Sequence, residues 1–400
     1  MTISHVAIVG SGLAGARSVM ELRARGFEGE ITLLGAERID PYDRPPLSEE
    51  LFSHPEPKWL RDEVGADLAS VDVAVSLGES VQGAARIDDR WVLATHRRRI
   101  EADAVIAASG AQAVLPSAWK GALTLHTWDD AAHLRERLTN AKSLVCIGAG
   151  WIGAEISTVA AAAGVEVTVL EASPAPLFSV LGTEVGTLLI PWYEQAGIDL
   201  RTNSTVATSR GTSVTLTSGE VLVGDVVLAA VGVRPRTQWL EGTGVEVSVS
   251  DHIEVDATQR TSLPGLWAVG DCAIRASSVH GMVVGGHWDA ALNDPARAAA
   301  SILGQEIPSE PAPYVFSNQL GRNIALVGAP QRGVRWALRG DTETTWSALW
   351  FNDSDELVAV FTADRPRDTI DARRLLAAGP VSVDETIAID AAQRLRASKR

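Results

Sequence analysis

The sequence predicts an α/β protein made of two doubly wound units followed by an α+β region. Three observations predict it. The run Val6-Ala7-Ile8-Val9 flows into Gly10-Ser11-Gly12-Leu13-Ala14-Gly15, then a helical stretch, then Ile31-Thr32-Leu33-Leu34. The same order recurs from Leu144-Val145-Cys146-Ile147 through Gly148-Ala149-Gly150-Trp151-Ile152-Gly153 to Val167-Thr168-Val169-Leu170. From Pro311 onward the character changes to strands rich in Val, Trp and Phe, then a helical stretch over 371–377.

A strand, Gly-x-Gly-x-x-Gly, a helix and a second strand form a Rossmann-like βαβ unit wound round a pyrophosphate. Gly10 allows the tight turn, Gly12 lets the backbone approach the phosphates and Gly15 lets the helix pack on the strand. The helix N-terminus faces the anion. The acid expected after the second strand is Glu37, placed for ribose hydroxyls. Taken alone, this first motif fits FAD or NAD equally.

Composition bounds the rest. A chain of 400 residues with 46% hydrophobic content builds two or three domains with their own cores. No apolar run reaches the roughly 18 residues of a membrane span, and no charged leader opens the chain, so a cytoplasmic protein is expected. Cys146 and Cys272 are the only cysteines, with no Cys-x-x-Cys, so neither a local redox disulfide nor a metal site is expected. Cys146 falls in a buried-strand pattern. A net charge of −15 argues against nucleic acid or an anionic membrane as partner.

After the first unit comes Pro41-Tyr42-Asp43-Arg44-Pro45-Pro46-Leu47-Ser48-Glu49-Glu50-Leu51. Ser48 is a candidate cap of a short helix. The segment reads either as a rigid surface loop or as one in which Arg44 reaches a pyrophosphate and Pro45 packs on a flavin. Short strands follow over 66–100, ending in His96-Arg97-Arg98-Arg99, expected to be a solvated hairpin edge. A buried strand then runs over 104–108 into the Ser109-Gly110 turn.

The second unit is the cleaner one. Its helix is expected over 154–163, and its second strand ends in Glu171. A carboxylate there binds the ribose 2′- and 3′-hydroxyls and repels a 2′-phosphate, which favours NAD(H) over NADP(H). Two fingerprints imply two dinucleotides, and the ordinary reason to hold both is hydride transfer from nicotinamide to flavin. One more strand is expected over 221–231, closed by Gly232-Val233-Arg234-Pro235. Another ends in Gly270-Asp271, where Asp271 suits a ribityl hydroxyl or simply forms a turn. Gly285-Gly286-His287-Trp288 opens a helix to Leu303, with Trp288 either core or beside an isoalloxazine.

Taken together, Tyr-x-Arg-Pro-Pro-Leu-Ser, Gly-Ala-Gly-Trp-Ile-Gly-Ala-Glu, Gly-Val-Arg-Pro, Trp-Ala-Val-Gly-Asp, His-Trp-Asp and Arg365-Pro-Arg-Asp follow one order. In that order the chain resembles the FAD-dependent, NADH-using ferredoxin reductases that feed ring-hydroxylating dioxygenases and cytochrome-type monooxygenases. The resemblance implies a glutathione-reductase-like fold: an FAD-binding domain over 1–109 and 233–309, an NAD-binding domain over 110–232, and a C-terminal α+β domain over 310–400. It implies that Gly10, Gly12, Leu13, Ala14, Gly15, Glu37, Arg44, Pro45, Ser109, Gly110, Gly270 and Asp271 hold FAD. Gly148, Gly150, Trp151, Ile152, Gly153, Glu155 and Glu171 are expected to hold NADH, with Gly232 beside the nucleotides. His287, Trp288 and Phe316 are expected near the flavin, and Glu49, Glu155 and Trp288 in the chemistry.

Several positions depart from the family's pattern. Glu49 stands where a lysine is usual, paired to the glutamate matching Glu155; the expectation is either that Glu49 sits near Glu155, with one of the two carboxyls protonated, or that Glu49 turns to solvent. Ser179 replaces an arginine, Ala111-Gln112-Ala113 replaces Ala-Arg-Pro, Phe316 replaces a tryptophan, and Trp192-Tyr193 lies near a usual histidine. Glu49, Gln112 and Ser179 motivate a second reading, a same-fold FAD protein acting as an oxidase, synthase or sensor or using nicotinamide weakly. In the first reading electrons pass to a ferredoxin, for which Arg275, Arg322 and Arg335 are candidate surface cations. Monomer and homodimer are both compatible with the sequence. With no cysteine pair in the first domain, thiol–disulfide reduction is excluded.

Overall fold

Apolar runs without polar interruptions belong to strands covered on both faces. The computed structural model describes residues 3–400. By Cα packing the chain forms two compact units: Met1–Asp43, Pro57–Gln112 and Arg234–Pro313 in one, Arg44–Glu56, Ala113–Val233 and Tyr314–Arg400 in the other.

In the first unit a parallel sheet runs in the order Leu266–Ala268, Ala104–Ala107, His5–Val9, Glu30–Leu34, Ala74–Ser76. Side chains alternate across it, as the period of a strand requires. Val6 and Ile8 pack with Val19 and Leu22 of helix Leu13–Ala24 and with Ala298, Ala299 and Ile302 of helix Trp288–Ile302. Ala7 and Val9 face the other way, onto Trp91, Leu93 and Ile100 of an antiparallel three-stranded sheet. Both β-branched and small residues are therefore used, each where its face needs them.

In the second unit Ser143–Ile147 is central to a parallel sheet in the order Asp199–Arg201, Glu166–Leu170, Ser143–Ile147, Val226–Ala229. Cys146 is fully buried in it, as its pattern predicts. The C-terminal region is an antiparallel sheet ordered Tyr314–Gln319, Arg322–Gly328, Glu356–Ala363, Trp346–Phe351, Arg335–Gly340. Helix Pro366–Leu375 lies in this region and begins earlier than the sequence suggests, because Pro366 supplies a ready first-turn residue.

Three local expectations change. The run over 221–231 is two strands, Val221–Val223 and Val226–Ala229, broken at Gly224, whose Cβ would sit 3.0 Å from Val145. Ser48 lies inside the short helix Pro46–Glu49 rather than capping it, because its hydroxyl is turned to Glu155. The basic cluster is partly tied down: Arg98 bonds Ser76 and the buried Glu79, which Arg97 also approaches.

Candidate active site

The two glycine turns have the same construction. Gly10 (φ +117°) and Gly148 (φ +106°) take a backbone conformation that side chains resist, and a Cβ would strike Ala108 O at 2.0 Å or Ala230 O at 2.4 Å. A Cβ on Gly15 would lie 1.8 Å from Gly10 O, and one on Gly153 2.1 Å from Gly148 O. At Gly12 and Gly150 the added atom meets nothing within 4 Å. So four glycines are required by the protein's own packing, and the middle one of each motif is required by nothing the protein contains. That space, in front of the first unpaired N–H groups of a helix, fits a pyrophosphate. The residues present therefore suit a dinucleotide at each turn.

Around the first turn, Gly270 lies against helix Leu13–Ala24, its Cβ position 2.9 Å from Ala14. Asp271 follows it in a single 3₁₀ turn after strand Leu266–Ala268. Glu37 is held by the Tyr42 hydroxyl at 2.7 Å, and Trp288 donates its indole N–H to Asp43 at 2.8 Å. His287 is the N-cap residue of the Trp288 helix. Ser109 donates to Arg236 O at 2.6 Å, and Gly110 O accepts from Arg236 N at 2.9 Å, which fixes the small-residue turn. The sequence reading missed what lies beneath. Asp294, on the same helix as Trp288, accepts the Gly270 N–H and is pushed up to about 6 by burial, with Arg275 opposing. Arg275 is 5% exposed and paired with Glu310, so it is no surface cation. Arg322 pairs with Asp364 and lies over Trp192; Arg335 pairs with Asp355 and Glu385. The three arginines are thus committed to internal partners.

Around the second turn, Glu171 is pinned by two backbone donors, Ala149 N at 2.8 Å and Ser173 N at 2.7 Å. Trp151 and Ile152 open the helix Trp151–Ala162, and Gly232 O accepts from Val114 N at 3.0 Å. Arg44 and Pro45 belong to this second unit, with Arg44 donating to His126 O. Phe316 stacks with Tyr314, centroids 5.8 Å apart, and Arg373 lies over the Tyr314 ring.

The sequence pointed to Glu155 and Glu49 but gave no signal for the two serines that flank Glu155. Glu155, 6% exposed, is flanked by the hydroxyls of Ser48 at 2.6 Å and of Ser317. Burial pushes its carboxyl up to about 7; the two serine hydrogen bonds pull down and the charge of Glu49 pushes up again. Glu49 does not pair with a cation here. Its two oxygens clamp Asn318, through N at 2.9 Å and Nδ2 at 3.1 Å. That pair of hydrogen bonds ties the Pro46–Glu49 segment to strand Tyr314–Gln319 and gives the unexpected carboxylate a structural partner.

Comparison with known proteins follows the same outline. The family described as pyridine nucleotide-disulphide oxidoreductase matches residues 4–294, and a reductase C-terminal domain matches residues 314–398. The chain is 31% identical to the ferredoxin–NAD(+) reductase subunit of the benzene 1,2-dioxygenase system of Pseudomonas putida, over 96% of this chain and 95% of that one. It is similar to the crystal structure of Fdr9, with a TM-score of 0.89, 36% identity and coverage of 98% and 99% of the two chains. It is likewise similar to the reductase in the covalent putidaredoxin reductase–putidaredoxin complex, with a TM-score of 0.90, 27% identity and coverage of 98% and 97%.

Proposed function

Because the chain belongs to the pyridine nucleotide-disulphide oxidoreductase family, we infer that it is an oxidoreductase passing electrons from NADH through FAD to a ferredoxin that serves an oxygenase. The observation that carries this is the pair of complete fingerprints, each with a middle glycine facing open space. The disulphide chemistry in the family's description has no counterpart here, since Cys146 and Cys272 are free and buried, and burial pushes the Cys146 thiol up to about 12.

FAD, when bound, accepts an electron pair and passes on single electrons, which a nicotinamide cannot do by itself. The chain's residues bind and orient. We assign FAD to the turn Gly10–Gly15 with Glu37, Asp271 and the Ser109-Gly110 turn, and NADH to the turn Gly148–Gly153 with Glu171. Asp294 keeps the Gly270-Asp271 turn in place by accepting its N–H. The domain division read from the sequence is kept in this proposal: each assigned domain contains its own sheet. No helix among the described residues is long and apolar enough to cross a membrane. We place the protein in the cytoplasm, with the NADH it consumes.

The test is direct. Purified protein should carry a flavin spectrum, and NADH added without oxygen should bleach it faster than NADPH does. A flavin that stays yellow for minutes under saturating NADH overturns the reading. The nucleotide preference is expected to rest on Glu171. A Glu171→Ser variant should raise the NADPH-to-NADH ratio of kcat/KM by about 10- to 100-fold, the worth of a charge-assisted hydrogen-bond pair plus relief of repulsion. Steady-state kinetics with both nucleotides reads it.

A further inference from the structure

Glu155 sits two residues beyond Gly153 in the helix that the second glycine turn opens. A buried acid normally has a cation for company; the charge acting on this one is the carboxylate of Glu49. The hydrogens around it can be counted. Ser48 Oγ has one hydrogen and two acceptors in reach, Pro45 O at 3.3 Å and Glu155 Oε2 at 2.6 Å. When Ser48 donates to Pro45, the shorter contact needs a proton on Glu155. Ser317 Oγ receives the Gln319 Nε2 hydrogen at 3.0 Å and gives its own to Glu155 Oε1. When Ser48 instead donates to Glu155 Oε2, the ionised carboxyl is satisfied with no added proton, so turning one hydroxyl between Pro45 O and Glu155 lets the pocket hold either protonation state.

The surroundings leave that proton to be set by electrostatics. Segment Pro46–Glu49 contributes Glu49, held on Asn318, while Glu50 next to it pairs with His54. Strand Tyr314–Gln319 contributes one ionisable group, the Tyr314 phenol. Strand Ser143–Ile147 contributes the Cys146 thiol, and strand Glu166–Leu170 contributes Glu166, with Glu171 just beyond. The helix Trp151–Ala162 has no other acid or base. A pyrophosphate at the N-terminus of this helix adds negative charge at the same end as Glu155. That charge disfavours the ionised carboxyl, and coupling between two sites is reciprocal.

We propose that Glu155 is a proton-linked residue of the nucleotide site: filling the second glycine turn draws a proton from solvent onto its carboxyl, so that nucleotide affinity falls as pH rises above neutrality. This rests on the reading of that turn as the NAD(H) site. The sign follows from linkage. Burial pushes the Glu155 carboxyl up to about 7 without nucleotide, and the added negative charge would push it higher, so affinity is expected to be pH-independent below the first value. Above it, affinity falls by up to about tenfold per pH unit until the second value is reached.

The probe is ADP-ribose, which carries the pyrophosphate without the nicotinamide charge. Calorimetric titration of the FAD-loaded protein, slightly above neutral pH, in two buffers of different ionisation enthalpy counts the protons exchanged. The native protein should take up a proton in a proportion approaching about one per site. Glu155→Gln should take up none, and its affinity should be flat with pH. Binding without uptake in the native protein overturns the proposal, as does uptake that survives in Glu155→Gln. Failure of ADP-ribose to bind at all overturns instead the site reading on which it rests. Should Glu155→Gln not fold, infrared difference spectra of the native protein decide. A neutral-carboxylic-acid band that grows on ADP-ribose binding supports the proposal, and an unchanged band overturns it.

Discussion

A Gly150→Val variant is expected to fold, to keep its FAD and to lose NADH-driven flavin reduction, with kcat/KM for NADH lowered about a hundredfold or more. The backbone at Gly150 (φ −81°, ψ −169°) is extended and open to any residue, and a Cβ there meets nothing within 4 Å. The protein therefore tolerates the side chain and the pyrophosphate does not. Displacing the phosphates from the helix N-terminus removes at least two charge-assisted hydrogen bonds, which accounts for roughly 3 kcal/mol. The matching change in the first turn should separate the two sites. Gly12 has the same open geometry (φ −72°, ψ −168°), so Gly12→Val should yield folded protein that purifies without flavin. Gly10→Ala is different in kind, since its Cβ would lie 2.0 Å from Ala108 O, and it should reduce soluble yield itself. Anaerobic stopped-flow absorbance, with circular dichroism for the fold, distinguishes these outcomes. An unchanged KM for NADH in Gly150→Val would show that the nucleotide lies elsewhere.

The largest stability effect is expected at Asp368. Its partner Arg339 has a fully buried side chain and an acceptor for each of its N–H groups. Two are the Asp368 oxygens, at 2.9 and 3.2 Å; the others are the carbonyls of Ala388, Asp390 and Gln393. Ser347 and Arg365 complete the carboxylate. Asp368→Ala leaves a guanidinium buried without its counter-charge and should cost about 3–5 kcal/mol. Replacing both members, Asp368→Leu with Arg339→Met, should cost less than the single change, because no charge is then stranded. Urea denaturation followed by tryptophan fluorescence reads both. Burial pushes the Asp368 carboxyl up, but the hydrogen bonds and charges of Arg339 and Arg365 outweigh it and hold it below its ordinary value of 3.8. The stability it contributes is therefore full above that value and is lost as pH falls beneath it. A single variant as stable as the native chain would mean that the pair contributes nothing.

The nucleotide turns were legible because their information is local. A strand, three spaced glycines and a helix fit within about 20 residues; the third glycine of each motif answers the carbonyl of the first, five residues back, and the middle one faces open space, while the first also answers a carbonyl on a distant strand, that of Ala108 or Ala230. The apolar runs at 6–9 and 144–147 were legible for the same reason, since a strand covered on both faces leaves no polar position. Glu171 follows directly from its strand. What lay outside reach was any feature made by residues distant in sequence. Arg275 reads as one more surface arginine, yet it is buried on Glu310 beneath the Gly270 turn. Glu49 reads as a charge in the wrong place until Asn318, 269 residues later, closes on it. Glu155 is the sharpest case: Ser48 and Ser317 are 107 and 162 residues away, and no periodicity marks a serine as the neighbour of an acid. The sequence by itself determined the two glycine-turn units, their order and the acid at the end of the second unit's strand, because backbone conformation and strand ends are set by neighbouring residues. Only the tertiary structure decided the burial and serine partners of Glu155, the partner of Glu49 and the burial of Arg275. A side chain's charge state depends on the dielectric and the dipoles around it, and those are assembled only when distant segments pack.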